Sequence, residues 1–208
     1  MTIILNNIGL SRGGKNLISH LNLKIYAGES LFLKGPNGSG KTTFLEFLAE
    51  LYSLKTGTIQ KTKLYKFFLI TNNTPLESKM NVKEHICFWA KLLSQDNYIK
   101  KAIKYFALEK LEKKYINNLS LGQKRCLLLS TLILIPHNVW LLDEPFIGLD
   151  KNNRNKLIKL CQQHMKKGGI IIISHHGCLP FKASKTLCLP SIKKHTNLKL
   201  NNLESWYV

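Results

Sequence analysis

The chain has 208 residues, 44% of them apolar, which is enough for one globular domain with a buried core and argues against wholesale disorder. Lys and Arg number 31 against 12 Asp and Glu, giving a formal net charge of +19. The lysines are spread along the whole chain and Arg occurs only at 12, 125 and 154, so no basic arm for nucleic acid stands out. An anionic partner and compositional drift towards Lys, Asn and Ile both account for such a charge.

The opening "MTIILNNIGL" has neither the basic start nor the long apolar stretch of a secretory signal. Residues 2–8 and 21–25 read as short strands joined by the glycine-rich turn "SRGGK". "ESLFLKG" (29–35) reads as a strand and 42–51 as a helix of apolar period. "KTGTIQ" reads as a turn and strand, and "KFFLIT" as a buried strand. From about 72 to 134 the pattern is helical, with "VKEHICFWAKLL" and "DNYIKKAIKYFALEKL" as two amphipathic helices. "NVWLLDEP" and "GGIIIIS" are short and almost wholly apolar, as central parallel strands buried on both faces are. The helix "NRNKLIKLCQQHMKK" between them closes on Gly168-Gly169, and "SKTLCLP" is a candidate last strand. The tail after residue 190 is polar and carries no pattern. This order predicts a single domain, residues 1–208, with a parallel sheet flanked by helices and a helical subdomain inserted at about 72–134.

The cysteines at 87, 126, 161, 178 and 188 are odd in number, scattered and without a C-x-x-C pair, so they read as reduced and mostly buried thiols. The longest apolar run, Cys126–Ile135, is too short to span a bilayer.

"GPNGSGKTT" (Gly35, Pro36, Asn37, Gly38, Ser39, Gly40, Lys41, Thr42, Thr43) lies between a strand and a helix, the context that G-x-x-x-x-G-K-[ST] requires. Its glycines let successive N–H groups turn inward, and the helix start adds positive partial charge. Lys41 then meets the β- and γ-phosphates of a nucleotide, and the Thr42 hydroxyl serves Mg²⁺. A glycine-rich turn with a surface lysine is the competing reading, and the complete pattern in its complete context counts against it. "VWLLDEP" puts Asp143 and Glu144 at the C-terminal end of a buried strand, where ligands gather in parallel sheets. Asp143 is the carboxylate expected on the Mg²⁺ side and Glu144 the general base that orients water. At the end of "IIIIS", His175 is placed to sense the γ-phosphate. An ordinary strand-end histidine stays open, as does a His175–His176 metal site, though the chain offers no carboxylate close in sequence to complete it.

Taken together these motifs resemble the ATP-binding-cassette (ABC) ATPases over roughly residues 2–180. "LSLGQ" (119–123) is similar to the family's LSGGQ signature with Leu121 in place of the first Gly, "GLD" (148–150) to its D-loop, and His175 falls at its switch histidine. The resemblance implies an α/β P-loop NTPase fold of the ABC type, with a parallel-sheet core, an N-terminal antiparallel β subdomain and an inserted helical subdomain. It implies ATP and Mg²⁺ as ligands and a second cassette, forming a homodimer with ATP sandwiched between. Ser120, Gly122, Gln123 and Asp150 would serve the nucleotide held by the partner cassette. The Q-loop glutamine falls near 72–73, so Asn73 is expected in its place. The family's adenine-stacking aromatic is replaced by Arg12, whose guanidinium also stacks on flat rings.

Phe146 after "DEP", Lys151 after "GLD" and the Gly-Gly-Ile run before the switch are similar to the branch of the family that serves cytochrome c maturation. That branch implies ATP hydrolysis coupled to haem handling, a CcmB-like integral membrane subunit with other maturation proteins as partners, and no specific nucleic acid. It implies a peripheral position on the cytoplasmic face of a bacterial inner membrane, or on the matrix face if the chain is organelle-encoded. Another small ABC exporter, a soluble ABC ATPase acting on ribosome or nucleic acid, and a module that binds nucleotide without hydrolysing it are the alternatives.

Overall fold

In the computed structural model, residues 2–61, 66–135, 139–177, 179–190 and 200–201 are described. They form two compact units, one of residues 1–72, 137–145 and 163–208, the other of residues 73–136 and 146–162.

The first unit holds two sheets. Strands β1 (Thr2–Arg12), β2 (Lys15–Tyr26) and β4 (Thr56–Lys61) form an antiparallel sheet in the order β2-β1-β4. β1 and β2 run well beyond the short strands expected from periodicity. Register shifts between Leu5 and Ser11 interrupt the alternation, and Asn7 and His20 take positive φ there, so the strands read shorter than they are. The second sheet has the order β5-β6-β7-β3-β8-β9, with β3 (Ser30–Lys34), β5 (Phe67–Ile70), β6 (Val139–Asp143), β7 (Ile170–Ser174), β8 (Lys185–Cys188) and β9 (Leu200–Asn201). All its pairs are parallel except β8–β9. β6 and β7 are buried at every position, which explains their unbroken apolar runs. β3 does not touch β6, because β7 lies between them. Leu33, Ser174 and Asp143 therefore stand level at the C-terminal edge, where α1 (Lys41–Leu48) begins.

The second unit packs α2 (Val82–Leu92), α3 (Ile99–Tyr105) and α4 (Leu121–Ser130). α5 (Lys151–Lys166) passes from this unit into the first and closes with Gly168 N donating to Met165 O and Gly169 N to His164 O. The expected long helix over 96–111 is broken. Ala107 takes φ +56, with Leu108 N donating to Ile103 O and Ala107 N to Lys104 O. This is a helix stop usually built on glycine, and burial of Phe106 and Leu108 drives it here. The apolar run after α4 continues as a 3-10 turn over Thr131–Leu134 and is buried at Thr131, Leu132 and Leu134. Ser130 and Thr131 satisfy their hydroxyls on the carbonyls of Leu127 and Leu128. Among the described residues no helix is long and apolar enough to cross a membrane.

Burial pushes the Cys126 thiol up to about 11 and the Cys161 thiol up to about 12, which makes both inert. Cys87 is half-buried and Cys188 exposed, so the described cysteines are less uniformly buried than expected; Cys178 lies outside the described residues.

His85 on α2 is buried beside Trp89, and its Nε2 has no hydrogen-bond partner. Burial lowers its pKa from 6.5 to about 4. The unfolded chain takes up this proton as pH falls below 6.5 and the folded chain resists it until about 4, so stability is full above that window and is lost on descending through it. The cost is on the order of 1–3 kcal/mol. Denaturant titrations from pH 7.5 to 4 should show this loss, and His85→Phe should shrink it; an unchanged slope in the variant refutes the assignment.

Candidate functional site

The P-loop, Gly35–Thr43, joins β3 to α1 in the first unit. Gly40 is the N-cap of α1 at φ +98, a left-handed conformation that favours glycine, and Leu17 packs against it at 3.1 Å from where a Cβ would stand. Gly35 is required by close approach, since a Cβ there would meet the Leu189 carbonyl and Ser39 Oγ at 2.6 Å. α1 has no side-chain cap, whereas α2 and α4 both carry a full capping box. The first amides of α1 are thus left for a ligand.

Lys41 is buried, and its ammonium donates to the carbonyls of Gly35 at 2.8 Å and Pro36 at 3.0 Å. Ser39 Oγ is buried without a partner. A buried cation, bare helix amides and an unsatisfied hydroxyl around one loop are a fitting site for phosphate. Asn37, Gly38, Gly40, Lys41, Thr42 and Thr43 of this stretch line a cavity of about 480 Å³ with Arg12, Lys15, Leu17, Asn72, Asp143, Glu144 and His176.

At the end of β6, Asp143 accepts from Thr42 Oγ1 at 2.7 Å on Oδ2 and from Ser174 Oγ on Oδ1. A hydroxyl and a buried carboxylate in contact suit Mg²⁺, which takes few protein ligands and keeps waters and substrate phosphates for the rest. Glu144 takes φ +48, a strain of about 1–2 kcal/mol for a non-glycine residue. Strain of this kind persists where neighbours over-determine it. Here the Glu144 amide donates to both the carbonyl (3.2 Å) and the hydroxyl (3.1 Å) of Ser174, while its carboxylate Oε2 accepts from the His176 amide at 3.2 Å. His175 Nδ1 lies 3.1 Å from the same oxygen; a carboxylate only accepts, so Nδ1 carries the proton in this contact. His176 Nε2 is 3.3 Å from Glu144 Oε1.

Three placements differ from expectation. Asn72 lines the cavity, while Asn73 falls in the second unit. His176 lines it too, while His175 is absent from its wall and meets Glu144. A carboxylate does accompany the histidine pair, because the β6–β7 pairing brings Glu144 to them; the chain order hides it. Among the described residues no cluster of three such side chains is arranged to hold a metal. Ser174 is the functional residue that sequence reasoning left without a role. Its signal was a lone hydroxyl ending an all-isoleucine strand.

In the second unit Ser120 caps α4. Its Oγ accepts from the Gln123 amide at 3.3 Å, and Gln123 Oε1 accepts from the Ser120 amide at 3.0 Å. The Leu121 and Gly122 amides and the Ser120 hydroxyl proton remain as donors. A Cβ on Gly122 would lie 3.0 Å from the Gly148 carbonyl, whereas Leu121 is 84% exposed. Steric need therefore falls on the second glycine of the signature alone, which is why leucine is accepted in place of the first. Asp150 caps α5 by accepting from Asn153 N at 2.8 Å and Nδ2 at 3.0 Å. Ser120, Gly122, Gln123 and Asp150 line a cavity of about 270 Å³ within this unit.

The family model described as "ABC transporter" matches residues 18–147. The chain belongs to the ABC transporter family. It is similar to the cytochrome c biogenesis ATP-binding export protein CcmA of Roseobacter denitrificans (33% identity, covering 90% of each chain) and of Reclinomonas americana (32%, covering 97% of this chain and 96% of the relative). It is also similar to ABC transporter I family member 1 of Arabidopsis thaliana (30%, covering 90% and 87%). Among solved structures, an ATP-binding subunit of an ABC transporter superposes with a TM-score of 0.85 at 20% identity, covering 98% of this chain and 91% of that one. A putative ABC transporter ATP-binding protein from Pyrococcus furiosus gives 0.79 at 23%, covering 91% and 98%. As a member of this ABC family the chain binds nucleotide and hydrolyses ATP in coupling to transport, working with a membrane partner in a dimeric cassette assembly.

Proposed function

We propose that this ABC ATPase drives a membrane complex that handles haem for c-type cytochrome assembly, with a CcmB-like integral subunit as its docking partner and a second copy of this chain as its dimer mate. It sits peripherally on the cytoplasmic face of a bacterial inner membrane, or on the matrix face of the mitochondrial one. The names of its relatives support the haem assignment. The observation that carries the motor assignment is Glu144, held by Ser174 and the two histidines on the wall of the P-loop cavity.

The residues divide the work. Lys41 and the first amides of α1 hold the phosphates, and Thr42 and Asp143 would hold Mg²⁺, which would neutralise charge on the triphosphate. Glu144 orients a water and accepts its proton at the carboxylate as the water attacks the γ-phosphorus, giving ADP and phosphate. His175 and the His176 amide fix the Glu144 carboxylate. Ser120 and the Leu121 and Gly122 amides of the second copy meet the γ-phosphate from the other side, so binding closes the dimer and hydrolysis loosens it.

Affinity purification from native membranes, solubilised in mild detergent, tests the partner. The chain should bring down a small multi-spanning membrane protein and cytochrome c assembly factors. Salt-resistant recovery with ribosomes instead would overturn the reading in favour of a translation ATPase.

A further inference from the structure

From residue 151 to 203 the chain carries eleven Lys and Arg and not one Asp or Glu. α5 opens this stretch, and α3 is likewise without an acid. The two helices meet in the second unit, where the Tyr105 hydroxyl of α3 donates to the Lys156 carbonyl of α5 at 2.9 Å. α3 buries Ala102 and Ile103, which turns Lys100, Lys101 and Lys104 outward, and all three are exposed. α5 buries Leu157, Leu160 and Cys161, so Lys151 and Lys159 stand on its outer side with Asn152 and Asn155 between them. The acids next along the chain, Asp96, Glu109 and Asp150, lie beyond the helix ends, and Asp150 is engaged as the cap of α5. Beside this face Tyr98 is exposed, with Lys101 Nζ 5.7 Å from its ring centroid.

Lysines three and four apart on one helix face repel one another, as Lys100, Lys101 and Lys104 do, and no carboxylate on either helix offsets them. An anionic surface relieves that repulsion. The residues also indicate its type. No arginine belongs to the face, since Arg154 turns onto the Phe146 ring. Lysine is a mobile point charge that suits a diffuse layer of charge, whereas the arginine fork suits the fixed edges of nucleic acid. Tyrosine, with an apolar ring and a polar tip, is a residue of the membrane–water boundary. The assembly works with a membrane partner, so a bilayer is the anionic surface at hand, and attachment to that partner raises its effective concentration. We infer that the lysine face of α3 and α5 lies on the anionic headgroups of the bilayer, holding the cassette there by charge without insertion. This rests on the reading of the chain as a cassette seated at a membrane.

Co-sedimentation of the full chain with lipid vesicles tests it. Phosphatidylcholine vesicles are compared with vesicles in which part of that lipid is replaced by phosphatidylglycerol. The chain should bind the anionic vesicles about tenfold or more tightly than the neutral ones, and added salt should release it. Changing Lys100, Lys101 and Lys104 together to Gln should weaken that binding by about 10²-fold. Gln matches Lys in helix preference, so the melting temperature and the affinity for nucleotide should stay those of the parent. Changing Lys24, Lys55 and Lys182 to Gln takes the same charge from exposed positions of the first unit and should weaken binding by only about threefold. An equal loss from the two triple variants would show that net charge alone binds lipid and overturns the inference, as does equal binding to neutral and anionic vesicles. Tighter binding of oligouridine than of anionic vesicles, lost with the α3 lysines, would give the face to nucleic acid and overturns it too. The vesicles hold no membrane subunit, so failure here leaves the docking partner and the nucleotide site standing, and failure to recover a membrane protein from native membranes leaves the vesicle result intact.

Discussion

Glu144→Gln should slow ATP hydrolysis by about 10²-fold or more while leaving nucleotide affinity within about twofold of the parent. The substitution keeps the side chain's length, and an amide oxygen can still accept from the His176 amide and His175 Nδ1, so the carboxylate's seat persists. What it removes is the ability to take a proton from water. The strained backbone at 144 is equally available to Gln, and its two bonds to Ser174 come from the main chain. Phosphate release measured beside calorimetric nucleotide titration checks both halves. Unchanged turnover would remove Glu144 from its role.

The second large effect concerns the start of α4. Ser120→Arg should lower turnover by about 10²-fold while each monomer binds nucleotide as before, because it replaces a donor aimed at phosphate with bulk at the dimer face. The same change removes an N-cap whose hydroxyl accepts from Gln123, at about 1 kcal/mol of stability. Ser120→Asp separates the two effects. Asp caps as well as Ser does, and it sets a negative charge against the γ-phosphate. It should keep the parent's melting temperature and lose turnover as Arg does. Loss of nucleotide binding by the monomer in either variant would place the stretch on the wrong nucleotide.

The residues around Lys41 were legible in the sequence because local rules carry them. A glycine-rich loop between a strand and a helix has one good use, and unbroken runs such as "IIIIS" and "VWLLD" are readable as central strands. What was not legible depends on strand order. Nothing in the chain order shows that β7 sits between β3 and β6, and that order alone brings Ser174 to Asp143 and both histidines to Glu144. The helix break at Ala107 was hidden for another reason. The residue carries no turn signal, and burial of its neighbours overrides its helical preference. Likewise Arg12 was readable as a flat cation, but Tyr52 beneath it and Glu46 beside it lie far along the chain and are joined to it only by folding. The expected tail after residue 190 lies outside the described residues apart from the two of β9.

The features that suggest the cytochrome c maturation branch have a structural side as well. Phe146 is buried in the second unit under the Arg154 guanidinium, so it reports on packing after the "DEP" turn. Branch membership therefore rests on the relatives and on the membrane partner to be recovered, while the proposed chemistry rests on Lys41, Thr42, Asp143, Glu144 and Ser174.

The proposed site is complete only when two cassettes share a nucleotide. Sedimentation of the Glu144→Gln chain with and without Mg-ATP measures it most directly, since a slowed enzyme holds the closed state long enough to be weighed. The chain should sediment as a 23.8 kDa monomer without nucleotide, at twice that mass with saturating Mg-ATP, and as a monomer again when Ser120→Arg is added. A chain that binds ATP and stays monomeric, or one that dimerises equally with Ser120→Arg, would contradict it.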